Sequence, residues 1–179
     1  MNYEALKNNL IDVIKESQLK LGYSPNDVGI FYPLRALNNL LDEDLDVEGM
    51  KKALDDFSGY AKDTLGETSY KYSETEKRFG ITVPAKGVKF IHESVEEPVF
   101  LKALLEKLYS GAKAAEFEEL FRSFSDNVHF EQIEDDEFDY LAYFPDGKPD
   151  SYRYCLSDDL GHVSYHRFTP KDFADLDIK

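Results

Sequence analysis

Apolar residues recur every three or four positions over the first part of the chain and alternate with polar ones near its end, so helices should come first and strands last. Tyr3, Leu6, Leu10, Val13, Ile14 and Leu21 share one face of a helix over 3–21, and Gly22 stops it. A second helix begins near Pro33, whose fixed φ suits a first turn, and carries Leu34, Leu37, Leu40 and Leu41. A third runs from about Asp46, its N-cap, to Phe57 on Val47, Met50, Ala53 and Leu54. Segments 68–73 and 78–83 then read as a hairpin closed by Pro84, while 85–93 fits a strand or a helical turn equally well. Ser94-Val-Glu-Glu97 has the form of a capping box ahead of an apolar helix over 98–109, and Phe117, Leu120, Phe121 and Phe124 mark another at about 113–124. Thr169, Pro170 and Asp172 open a terminal helical turn.

Between these last helices lie four segments of period 2: 128–133, 138–144, 151–157 and 162–168. Paired as hairpins, they put His129, Glu131, Phe138, Tyr140, Ala142, Arg153, Cys155, Ser157, His162, Ser164, His166 and Phe168 on one face. The other face takes Phe130, Leu141, Tyr143, Tyr154, Leu156, Val163, Tyr165 and Arg167. The predicted fold class is therefore α+β: a helical N-terminal part and a C-terminal antiparallel β-meander of about 4–6 strands packed against helices. The absence of repeats or a Gly-, Ser- or Pro-rich linker favours a single domain over 1–179, with a loose boundary near 66 between a helical lobe (1–66) and a sheet-containing lobe (67–179).

The first of these faces holds the groups with the most chemistry. With a four-residue loop over 158–161, Cys155 pairs with Ser164 and sits diagonally between His162 and His166, while Arg153 meets His166. Loops over 145–150 and 134–137 before it set Tyr140 opposite Cys155 and Glu131 opposite Tyr140. A thiol beside imidazoles is how a thiolate nucleophile is made, and Cys155, His162, His166, Arg153, Tyr140 and Glu131 are the candidate catalytic residues. Imidazoles with a carboxylate also suit zinc or iron, but His162 and His166 are roughly 13 Å apart along one strand and share no metal unaided. The alternative is a half-solvated sheet whose polar face happens to carry histidines.

Charge changes the picture more than composition does. With 36 acidic against 21 basic residues the chain carries a net charge of −15, which disfavours nucleic acid and anionic membrane surfaces and suits solubility or a basic protein partner. Hydrophobic residues at 42% suffice for a core, and no apolar run approaches the length of a membrane span. The N-terminus lacks the apolar stretch of a signal peptide, and the single cysteine agrees with a reducing cytosol, so a cytoplasmic location is expected.

Other motifs are weaker. Asp44 to Asp55 supplies acids at positions 1, 3, 5 and 12 of an EF-hand loop with Gly49 at 6, yet Met50, Ala53 and Leu54 already mark helix there. The stretch Glu131 to Asp139 holds six acids and no base, either a dock for a cationic partner or a solvated hairpin tip. His92 stands alone beside Glu93, and Asp146-Gly147 reads as a turn. There is no P-loop, GxGxxG, GxSxG, HExxH or CxxC, so no cofactor and no metal is called for, and the pattern fixes no oligomeric state.

The stretch Asn2 to Lys15, then Tyr32-Pro-Leu34, Asp46-Val-Glu-Gly-Met50, Phe138-Asp-Tyr140, Pro149 to Cys155 and Tyr165-His-Arg-Phe168 resemble an uncharacterised bacterial family, a domain of unknown function, over nearly the whole chain. The resemblance implies a bacterial source and one full-length unit, and assigns no catalytic role. Two functions are then in view. One is a small acidic non-catalytic binding protein of the antitoxin or immunity type. The other is a small hydrolase or transferase using the Cys155 face, with Arg153 holding an anion and Tyr140 or Glu131 assisting.

Overall fold

A computed structural model describes residues 1–178, and within it the chain folds as two compact α+β units, Met1–Glu97 and Pro98 onward. The first comprises α1 (Tyr3–Leu21), β1 (Val28–Pro33), α2 (Leu34–Leu41), α3 (Val47–Leu65), β2 (Ser69–Ser73), β3 (Arg78–Val83) and α4 (Ala85–Ser94). Its antiparallel sheet has the order β1-β3-β2. Leu6, Leu10, Ile14, Leu37, Leu41, Met50, Phe57, Phe79 and Ile91 form a solvent-free core between helices and sheet. The helical periodicity is borne out over α1, α2 and α3, and Asp46 caps α3 by accepting the Gly49 N–H at 2.7 Å.

Two features of this unit lie beyond the periodicity. Six-residue β1 is too short to announce itself before Pro33; it adds to the expected β2–β3 hairpin through β3, with Val28, Ile30 and Tyr32 turned inward. The ambiguous stretch 85–93 is α4, whose ends are both held from elsewhere in the unit. Asp27 accepts the Ala85 N–H at 2.8 Å, and the buried Lys15 ammonium donates to the Ile91 and His92 carbonyls, each at 3.3 Å. A cation on the last carbonyls complements the helix dipole. Because the hairpin and α4 pack with the N-terminal helices, the division falls after Glu97 rather than near 66.

The second unit comprises α5 (Val99–Tyr109), α6 (Ala114–Phe124), β4 (His129–Gln132), β5 (Tyr140–Tyr143), β6 (Arg153–Asp159), β7 (His162–Phe168) and α7 (Pro170–Ala174). The expected capping box at Ser94 is absent: Ser94 ends α4 and α5 starts after Pro98, since a residue before proline avoids the helical region. The four strands form an antiparallel meander in sequence order. One sheet face packs on α5 and α6 through an aromatic core. Phe100 meets the rings of Phe121, Phe144 and Tyr154 edge-on at 4.8, 5.0 and 5.5 Å, with interplanar angles of 63°, 86° and 78°. Such edge-to-face contacts add to the area that each ring buries.

The β6–β7 connection is a two-residue turn, with Leu160 at φ 53° and Gly161 at φ 89°, the mirror-image form that matches strand twist. Leu160 is 99% exposed, so its side chain gains nothing from a left-handed backbone that asparagine tolerates better. Leu160→Asn is expected to stabilise the unit by about 0.5–1 kcal/mol, read as a higher thermal midpoint. An unchanged or lower midpoint would contradict this turn geometry.

Candidate functional site

The register decides which side chains share the outer face of the second sheet. Each cross-strand row runs β4, β5, β6, β7. One row is His129, Tyr143, Arg153 and Phe168; the next is Glu131, Leu141, Cys155 and His166. Further along, Ser157 opposes Ser164 and Asp159 opposes His162. Cys155, His166, Arg153, His162 and Glu131 therefore share one face, as the alternation predicts, though with different neighbours. The tight turn at Leu160 shifts β7 by two residues, setting His166 rather than Ser164 against Cys155 and leaving the face unchanged.

Tyr140 is the correction. It opposes Leu156, not Cys155, because β5 is one residue out of the expected register. That single step puts Tyr140 on the aromatic face near Phe130, with ring centroids 5.7 Å apart, and brings Leu141 and Tyr143 over to the thiol side. The physical reason is burial: in this register Ala142 and Phe144 enter the core fully, whereas the expected register would hold Phe144 outside it.

The centre of the outer face is not solvated. Cys155 is fully buried with Leu141 and Phe138, and Ile133, Tyr143, Phe168, Phe173 and Ile178 pack around them. The β4–β5 connection supplies Ile133 and Phe138; the C-terminal segment supplies Phe173 and Ile178. Thr169 caps α7 by accepting the Asp172 N–H, which fixes how that segment leaves β7. Burial, with a smaller contribution from the Asp135 charge, pushes the Cys155 thiol up to about 11. This reverses the condition that an attacking thiol needs. His166, although opposite, lies exposed at the rim against Phe138, 5.7 Å between rings. His162 is exposed at the far end beside the turn.

At the other end, the Tyr143 ring is held between two groups from its neighbouring strands. The His129 imidazole stacks on it at 4.6 Å and 22°, and the Arg153 guanidinium lies 3.9 Å from its centroid. The Glu131 carboxylate is 2.9 Å from His129 Nε2. Arg153 is thus engaged by an aromatic ring rather than set against His166. Of this row only Arg153 is among the sequence-derived candidates; His129 lies outside them although it shares the alternation of Glu131.

On the inner face Tyr154 donates to Asp150 Oδ2 at 2.6 Å, and burial followed by the Asp150 charge raises its hydroxyl well above the usual range.

The acidic stretch is the exposed connection of the β4–β5 hairpin, and its backbone is tied by hydrogen bonds. Asp135 Oδ1 accepts from the N–H groups of Glu137 at 2.9 Å and Phe138 at 3.1 Å. Ser157 donates to the Glu137 carbonyl at 2.7 Å, and Asp139 Oδ2 accepts the Asp158 N–H at 2.7 Å. With Phe138 buried as its anchor, the loop leaves Glu134, Asp135 and Asp136 lining an open depression together with Asp177. Elsewhere, Asp46 and its followers are capped helix rather than a calcium loop. His92 stacks on Tyr23 at 4.3 Å, and Asp146 accepts the Lys148 N–H across the expected turn. Among the described residues no group of three or more His, Cys, Asp or Glu side chains is placed to hold a metal ion.

A family model described as a domain of unknown function from an E. rectale gene description, DUF3877, matches residues 3–177, and the chain belongs to that family. No curated protein and no solved structure matches it. No helix among the described residues is long and apolar enough to cross a membrane.

Proposed function

For this member of the DUF3877 family we propose a non-catalytic role: a small acidic cytoplasmic protein of bacterial origin that binds a basic protein partner, as antitoxins and immunity proteins do. The observation that carries this reading is the β4–β5 loop, where five acids in the seven residues 133–139 are presented on a backbone already fixed by hydrogen bonds. A preorganised acidic loop avoids the ordering cost of a flexible one, and a net charge of −15 would steer a cationic partner toward it. The burial of Cys155 and its raised thiol favour this reading over a hydrolase or transferase built on the same face.

The test is capture of a partner from lysate at low and at moderate salt by three forms of the chain. Wild type should retain a basic protein at low salt and release it as salt rises. Glu134→Lys/Asp136→Lys/Glu137→Lys should lose it, while an equal charge change at Glu48, Asp56 and Glu119 should not. A partner held equally by all three forms, or one indifferent to salt, would overturn the proposal.

A further inference from the structure

Among the described residues four strands stand at sheet ends: β1 and β2 in the first unit, β4 and β7 in the second. Edge strands invite pairing with another chain, and proteins ordinarily defend them with charge. Three of these four follow that rule. β2 carries Lys71, β4 carries His129 and Glu131, and β7 carries His162, His166 and Arg167. β1, Val-Gly-Ile-Phe-Tyr-Pro, carries no Asp, Glu, Lys, Arg or His, in a chain whose residues are 32% charged. Its outward-facing Phe31 is 66% exposed.

We propose that β1 is a self-association edge, pairing antiparallel with β1 of a second copy of this chain about a two-fold axis through Ile30. The sequence of the strand is self-complementary in that register. Phe31 falls opposite Gly29 of the partner, Val28 opposite Tyr32, and Ile30 opposite its own counterpart. The Phe31–Gly29 pairing repeats a contact already present within one copy. Phe31 opposes Gly80 on β3 and leans over it, its Cε1 lying 3.0 Å from where a Cβ would stand. The place above Gly29 is open, with nothing within 4 Å of a Cβ built there. A second phenyl ring therefore has a vacant glycine to cover, and each ring would lie between two glycines. The resulting six-stranded sheet would end on both sides at β2, whose Lys71 guards it.

Pairing of six residues buries far less than the roughly 1,600 Å² of a standard stable interface, so the association is weak. Two bodies each of charge −15 repel, so it should strengthen as salt screens them. The experiment is sedimentation of wild type, Gly29→Lys and Phe31→Lys from about 10 µM to about 1 mM at low and high salt, with hydrogen exchange at the β1 amides. Both positions face solvent, so circular dichroism melts should show each variant folded with a cooperative transition. Wild type should rise toward twice the monomer mass with concentration, more so at high salt, with β1 amides gaining protection in parallel. Both variants should stay monomeric with unprotected β1 edges. A wild type that is monomeric throughout, or variants that associate as wild type does, would overturn the proposal.

Discussion

Gly87→Ala is expected to destabilise the Met1–Glu97 unit by about 3 kcal/mol, the upper end of what overpacking costs. α4 crosses the end of α3 so closely that a Cβ on Gly87 would stand 2.2 Å from the Leu65 carbonyl oxygen and 2.8 Å from Val83 Cγ1. The oxygen is backbone, so relief means moving a helix, and α4 is pinned at both ends by Asp27 and Lys15. Gly59 supplies the control. It sits within α3 with nothing near its missing Cβ, so Gly59→Ala should stabilise by roughly 0.5–1 kcal/mol. Denaturant midpoints of the two variants should move in opposite directions. Equal or like-signed shifts would mean that α3 and α4 do not meet at Gly87.

Phe100→Ala should have the largest effect on the second unit, about 3–5 kcal/mol. Phe100 is 2% exposed and touches the rings of Phe121, Phe124, Phe144 and Tyr154, so its removal opens the centre of the aromatic core on both helix and sheet sides. Its neighbour Val99 is 72% exposed, and Val99→Ala should change stability by no more than about 0.5 kcal/mol. Hydrogen exchange at β5 and β6 amides reads the difference directly. Protection that survives in the Phe100 variant would place the core elsewhere.

Much of this fold is legible in the sequence wherever one local rule suffices. Apolar spacing finds α1, α3, α5 and α6; Thr169-Pro170 finds α7; alternation finds all four strands of the second sheet. What escapes is what neighbours decide. β1 becomes a strand by pairing with β3, and α4 becomes a helix because Asp27 and Lys15 satisfy its ends. Within the candidate site, alternation places five of six residues on one face, and Tyr140 is lost to a one-residue step in β5 that nothing local encodes. Least visible in sequence is that Ile133, Phe138, Phe173 and Ile178, from loop and tail, close over the thiol and turn a titratable face into a second small core. Burial by distant segments is a tertiary property, and it governs the chemistry of Cys155.

That burial has a consequence with a definite sign. A thiol raised from 9.0 to about 11 favours the folded state while neutral. Its contribution is complete below pH 9 and is lost as pH climbs toward 11, about 2–3 kcal/mol over that window.

The most direct measurement is the alkylation rate of Cys155 at pH 7.5 in folded protein and in urea. A two-unit rise alone leaves about 100-fold fewer thiolates, so folded protein should label at least 100-fold more slowly than unfolded. Folded protein that labels as fast as the unfolded chain, or faster, would show an accessible, activated thiol and contradict a structural role for this face.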